Sequence, residues 1–337
     1  MTSISFQTVI NALLDTEKPF PKRYLAQFSD LDPESLELLM QVWPRITLQR
    51  KRALLDDLDA LLSEDSLVSF DDFARALLHD PDAFVRAGAL RLLSECEDVT
   101  LLPIYEDILA HDPSPEARAE AAQVMNLFVE LGELDEIPAT LHRRAEDALL
   151  AAMHDSFLEV RRRALESLGY SSRPEVPSLI QAALEDQDPD WQASALIAIG
   201  RSFDHEQWGE EVLRFMLSDD RAVRLEAVRA AGNLMLTEAR RPLLQMLEEE
   251  EDDEIFSAIV WSLSQIGGED VREYLESLLD QTDDEEEMAF LEDALDNLAF
   301  TEDLGRFDLM AYDLDIELDE DDEQSSNSRK PKKKGHG

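Results

Sequence analysis

The chain has one cysteine, Cys96, so no disulfide can close within it, and that usage suits a reducing cytoplasm. Glycine is scarce, 11 residues in 337, and no glycine-rich phosphate loop occurs. No apolar run approaches the about 20 residues of a membrane-spanning helix. The start, MTSISFQTVI, lacks the basic region of a signal peptide. Positive charge is the largest shortage. Lys and Arg total 31 against 76 Asp and Glu, a formal net charge of −45. From Thr301 onward there are eleven acidic and six basic residues, a net of −5, so residues 1–300 carry −40. A body this acidic repels phosphate backbones, whose binding needs cations to displace counterions, and it suits a basic protein partner. The expectation is a cytoplasmic protein without a membrane span.

What remains is rich in Ala, Leu, Glu, Asp and Arg, a helix-forming composition. One pattern returns along it. VRAGALRLLS begins at Val85, ARAEAAQVMN at Ala117, VRRRALESLG at Val160 and WQASALIAIG at Trp191. VRLEAVRAAG follows at Val223, IFSAIVWSLS at Ile255 and FLEDALDNLA at Phe290. The starts are 32, 43, 31, 32, 32 and 35 residues apart. Apolar or small residues recur at offsets 0, 4, 5 and 8, one face of a helix, and a small residue usually follows at offset 9, as at Gly169 and Gly232. An earlier copy fits LQRKRALLDDL, with Ala53, Leu54 and Leu58. A second helix precedes each copy and ends in an apolar residue such as Leu78, Leu109, Leu184 or Leu217. The turns between them contain DPD at Asp80, DPS at Asp112 and DPD at Asp188, read as helix starts with an Asp cap and a first-turn proline. Two helices per period of roughly 31–36 residues are the signature of an α-solenoid.

An Asp, five residues, an Arg and then AL..LG resembles the HEAT repeat, in the variant of the phycobilin lyases. Asp80 and Arg86, Asp112 and Arg118, and Asp155 and Arg161 keep that spacing, and the resemblance runs from about Asp32 to Phe300. It implies a right-handed α-α superhelix of about eight helix pairs, with these Asp and Arg residues forming a hydrogen-bonded ladder between adjacent repeats. Arg224 has no Asp six residues before it, although Asp219 is adjacent; Gln192 replaces the arginine in the fourth copy, and the ladder is expected to lapse there. Arg161 belongs to the ladder on this reading. Arg162 and Arg163, which complete the RRR run, neighbour Glu159 and Glu166 at helical spacing rather than marking a nucleic-acid contact.

Little points to catalysis. His79, His111 and His154 each precede an Asp at the end of a first helix, but ligands of one ion lie about 2 Å from it, whereas stacked repeats sit about 10 Å apart. HEAT-like deoxyhypusine hydroxylases bind iron through several His-Glu pairs, and only His205-Glu206 matches. HEAT-like alkylpurine DNA glycosylases use a basic groove that this charge does not provide. Cys96 reads as a buried small residue. No cofactor or metal site is expected, and a helical protein whose melting ignores EDTA follows. The alternative is an enzyme or enzyme subunit of the bilin-lyase type; absorbance after co-expression with a bilin would reveal it.

Residues 1–31 form an N-terminal cap, with Phe6, Ile10, Leu13 and Leu14 on one side of its helix; residues 32–300 form the array. ELGELDEIPATLH, inside the 43-residue spacing, is an insertion, either a longer loop or a longer first helix. Acidic turns at Glu248–Ile255 and Asp283–Met288 occupy equivalent places in neighbouring repeats and offer an edge for a basic peptide or a cation. Residues 301–337 are an acidic and then a basic run whose composition predicts disorder; nucleic-acid contact is confined to weak binding through the basic tail 329–334. Offset 6 lies opposite the buried face. Along the copies it is occupied by Arg91, Gln123, Glu166, Ile197, Arg229, Trp261 and Asp296. In the family these second helices line the concave surface. Ile197 and Trp261 are apolar exceptions with Arg229 between them, and Trp and Arg anchor interfaces most often. The expected function is a non-catalytic scaffold that binds a protein partner through Ile197, Arg229 and Trp261 or the acidic edge.

Overall fold

A computed structural model of the chain describes residues 5–202 and 204–301; the charged tail lies outside the described residues. Those residues are helical throughout, with no strand among them. The chain divides into two compact units, Met1–Ser202 and Phe203–Gly337.

In the first unit, α1 (Phe6–Leu14) buries Val9, Ile10 and Leu13, while Phe6 and Leu14 are half-buried at its edges. It packs on α2 (Pro33–Val42), whose amino terminus Asp32 caps through Glu34 N and Ser35 N. Helix α3 (Leu48–Glu64) is the earliest second helix, burying Leu54, Leu55 and Leu58. Ala53, expected inside, is exposed, because the buried stripe runs through Leu55. Three pairs follow: α4 (Asp71–Leu77) with α5 (Ala83–Arg91), α6 (Leu102–His111) with α7 (Pro115–Val124), and α9 (Ala139–Ala152) with α10 (Leu158–Leu168). The insertion builds an extra helix, α8 (Asn126–Glu133), and lengthens α9 to 14 residues. The fourth pair is α11 (Val176–Leu184) with α12 (Pro189–Arg201). Second helices stack on second helices: α3 on α5, α5 on α7, α7 on α10, and α10 on α12.

The second unit repeats the plan with α13 (His205–Phe215) and α14 (Arg221–Asn233), α15 (Arg240–Glu249) and α16 (Asp253–Ile266), then α17 (Glu269–Leu279) and α18, residues 285–301. Leu217, expected to end a first helix inside, is 75% exposed; α13 stops at Phe215 and Met216 takes the buried place.

The sequence stripe is the core. In the third copy Val160, Ala164, Leu165 and Leu168 are all wholly buried, as are Val223, Ala227, Val228 and Ala231 in the fifth. Two of the copies also interlock with the preceding one in the same way. Offset 7 of one second helix meets offset 5 of the preceding one: Ser167 Oγ donates to the Ala122 carbonyl and Ser262 Oγ to the Val228 carbonyl, each at 2.9 Å. Both serines are buried, so these bonds satisfy hydroxyls that would otherwise be costly to desolvate.

Candidate functional site

The turns carry a repeated polar geometry. Arg86 reaches forward to the next repeat, with Nε to Asp112 Oδ2 and Nη2 to Asp112 Oδ1 both at 2.7 Å. Arg118 grips Asp155 the same way, at 2.8 and 3.0 Å. Each of these arginines also reaches back to the backbone six residues earlier, Arg86 to the Asp80 carbonyl and Arg118 to that of Asp112; Arg161, expected to continue the ladder, makes only this backward bond, to the Asp155 carbonyl. That second bond survives at Gln192, where the ladder was expected to lapse, and at Arg224. Gln192 Nε2 donates to the Asp186 carbonyl at 2.8 Å, and Arg224 Nη1 to the Ser218 carbonyl at 2.9 Å. The acceptor is backbone, so the residue six places earlier need not be Asp. The carboxylates have a further duty. Asp80, Asp112 and Asp155 each accept the amide of the residue two places on, which shapes the turn, while the caps themselves fall later, at Asp82 for α5 and Ser114 for α7. Asp188 caps α12 as expected. At the first rung, Asp80 accepts instead from Lys51 Nζ at 3.1 Å and Trp43 Nε1 at 2.7 Å. Lys51 sits at the ladder position of α3, so a lysine starts the series.

Arg162, Arg163 and Arg91 are engaged as well. Arg162 bonds Ser194 Oγ and Asp190, and Arg163 bonds Glu159 and Glu166. Arg91 pairs with Asp59 and Glu120. The RRR run is thus tied to carboxylates and backbone of its own unit.

The offset-6 positions are not one uniformly solvated row. Glu166 is 2% exposed and accepts from Ser194 Oγ at 2.6 Å and Arg163 Nη1 at 3.0 Å. Ile197, in the first unit, is half-buried. In the second unit Trp261 is 41% exposed and lines a groove between α14 and α16. Arg229 lies across that groove, held by Glu226 at 2.6 Å and Glu254 at 3.0 Å, with Asn233, Ser257 and Gln265 along it. The acidic turn below the groove is neutralised in part. Asp252 caps α16 and takes a bidentate pair from Arg221, which holds its carboxyl down at about 2.

His79, His111 and His154 are exposed, and His111 Nδ1 lies 3.0 Å from Asp107 Oδ1 in the last turn of α6. Cys96 is buried; burial pushes its thiol up, Asp71 adds to the shift, and Arg75 Nη2 lies 3.3 Å from Sγ.

One cluster was not foreseen. Glu133, His142 and Glu146 converge where the insertion returns to the array, with one ligand atom of each within 4.8 Å of the others. His142 and Glu146 are four residues apart on α9, a spacing visible in the sequence; Glu133 comes from the end of α8, a helix the repeat pattern does not contain.

Residues 146–208, 176–263 and 210–295 match the model of HEAT repeats. Residues 146–295 carry HEAT repeats. The same buried offsets and turn bond recur upstream of residue 146, in the copies at Ala117 and Val85. No curated protein matches the sequence. Among solved structures, YibA of Escherichia coli is 17% identical, covering 83% of this chain and 98% of its own, with a TM-score of 0.42. The CpcE–CpcF complex of phycocyanin lyase from Nostoc sp. PCC7120 is 18% identical over 68% of this chain and 94% of its own, with a TM-score of 0.46. Kap95p, seen with RanGDP, is 11% identical with a TM-score of 0.41; 87% of this chain spans 45% of it. These are likenesses of the HEAT fold alone. No helix of the described residues is long and apolar enough to cross a membrane.

Proposed function

We propose that this chain is a non-catalytic cytoplasmic scaffold that binds a protein partner along the α14–α16 groove. The observation that carries the reading is Trp261, a large aromatic left 41% exposed in a groove rather than folded into the core. An exposed tryptophan beside an arginine has the composition of an interface anchor. Glu226 and Glu254 hold Arg229 in place across from it, which lowers the entropy lost on binding. The surrounding carboxylates favour a basic partner, steered in by the net charge.

Trp261→Ala tests this. The variant is expected to keep the melting temperature of the parent, because no core is removed, and to bind the partner at least about 30-fold more weakly, the loss of an anchor contributing about 2 kcal/mol. A melting temperature lower by many degrees with undiminished capture by the folded fraction would make Trp261 a core residue and refute the assignment. A protein cut after Asp322 should not bind duplex DNA at physiological salt, given the −40 carried by residues 1–300 and the pairing of its arginines. Sub-micromolar DNA binding by that truncation would overturn the exclusion of nucleic acid.

A further inference from the structure

We propose that Glu133, His142 and Glu146 form a binding site for a divalent transition ion of the zinc class. His142 Nε2 lies 3.7 Å from Glu133 Oε1 and 3.6 Å from Glu146 Oε1. Both distances are too long for hydrogen bonds. They are close to what a shared ion requires: bonds of about 2.1 Å at a tetrahedral angle put ligand atoms about 3.4 Å apart. Nε2 is buried and has no hydrogen-bond partner, so a ring nitrogen faces two carboxylates with nothing joining them. One imidazole and two carboxylates form a donor set for zinc and its neighbours rather than for calcium or magnesium, which take oxygen alone.

The surroundings hold these groups in place. Gly132 is next to Glu133 on α8, and a Cβ there would lie 2.2 Å from His142 Cγ and 2.3 Å from Cδ2. The glycine therefore makes the recess in which the ring sits. The carboxylates are oriented by the loop after α10: the Ser172 amide donates to Glu133 Oε1 at 2.6 Å, and Ser171 Oγ to Glu146 Oε1 at 2.5 Å. Donors that hydrogen-bond to ligating carboxylates in this way are the usual outer shell of a metal site. Arg173 Nη1 stands 3.6 Å from the other oxygen of Glu146 and is itself held by Asp147 and Glu175. The side chain of Glu133 is 27% exposed and that of Glu146 only 6%, so an ion enters past Glu133 and water completes its shell on that side. An ion here joins the end of α8 to α9, and through the two serines to the α10–α11 loop. It would fasten the insertion to the array.

The test is titration of the EDTA-stripped full-length chain with zinc chloride, followed by calorimetry and melting, with cobalt(II) as a visible probe. One equivalent should bind with micromolar affinity or better, raise the melting temperature, and give with cobalt the strong visible bands of a four-coordinate site. Chelation of the loaded protein should then lower its melting temperature, the reverse of the expectation drawn from sequence alone. His142→Ala should weaken the first equivalent by more than about 100-fold, beyond the 10- to 100-fold typical of outer-shell changes. Glu133→Gln and Glu146→Gln should weaken it while folding normally, because the glutamine oxygen can still accept from Ser172 or Ser171. The proposal fails if His142→Ala binds the first zinc as tightly as the parent, which would assign the ion to the acidic surface. It also fails if the parent takes up no stoichiometric zinc.

Discussion

Asp112→Ala is expected to destabilise the first unit by about 3–5 kcal/mol, the cost of removing one partner of a buried ion pair. The Arg86 side chain is 12% exposed and the Asp112 side chain 6%. Alanine leaves the guanidinium between two repeats with only the Asp80 carbonyl and deletes the acceptor for the Ser114 amide in the same stroke. Asp112→Asn should lose less, since its one carbonyl oxygen can still serve that amide or one arginine N–H. The exposed Arg221–Asp252 pair is the control: it has similar bidentate geometry but is open to water, and Arg221→Ala should barely move the melting curve. Chemical denaturation of the three variants would rank them. Equal losses for Asp112→Ala and Arg221→Ala would show that burial does not set the strength of the ladder.

The ladder also sets the response to acid. Burial alone would raise the carboxyl of Asp112, but Arg86 and the Ser114 amide outweigh it and hold it below the ordinary Asp value. At Asp155 the hydrogen bonds from Arg118 come first in lowering it, against burial. A carboxyl depressed in the folded state contributes stability above its unfolded pKa of about 4 and loses that contribution as pH falls through the lower, folded value. Acid unfolding of the parent is therefore expected below about pH 4, and Asp112→Asn should show a shallower loss over that range. An unchanged acid limb in that variant would separate the ladder from acid stability.

The repeat was legible because the copies at Val85, Ala117, Val160, Val223 and Ile255 bury all four offsets, and the departures, half-buried Trp191, Phe290 and Leu295, fall in the other two. The turn bond was only half legible. Spacing showed Asp and Arg six apart but not that the arginine takes the backbone carbonyl of one Asp and the carboxylate of the next, 26 residues on from Arg86 and 37 from Arg118. At Gln192 and Arg224 only the bond to the carbonyl within the repeat remains, and a carbonyl acceptor leaves no trace in residue type. The offset-6 row failed at Glu166 because helical period separates inner from outer but cannot show that Ser194 and Arg163 close over a carboxylate. The Glu133–His142–Glu146 cluster was invisible because one of its members comes from a helix outside the repeat. A search for ligands within the period cannot find it.

Gly169→Ala should lower the melting temperature of the first unit by several degrees, although alanine is the better helix former by about 1 kcal/mol. Gly169 has ordinary helical angles, φ −54° and ψ −34°, so it is not there for backbone freedom. It is there for contact. A Cβ would stand 2.5 Å from the Ala198 carbonyl oxygen and 2.7 Å from Ala198 Cα, both backbone atoms of α12. Backbone cannot rotate aside, so α10 and α12 must separate. Overpacking of this kind costs about 1–3 kcal/mol, and here it falls at the upper end because nothing flexible absorbs it. That exceeds the propensity gain and leaves a net loss of about 1–2 kcal/mol, or roughly 2–8 °C for a unit of this size. Gly232 makes the same contact in the second unit, where a Cβ would lie 2.7 Å from Ser262 Cα, and should respond alike. Gly88 is the counter-case. Its nearest obstacles are the Leu55 side-chain atoms Cδ1 at 3.0 Å and Cβ at 3.2 Å, which a change of rotamer relieves in part. Gly88→Ala should therefore be close to neutral, the propensity gain offsetting the crowding. Melting curves for the three variants decide the matter: if Gly88→Ala loses as much as Gly169→Ala, the approach of one second helix to the next is not what selects glycine at offset 9.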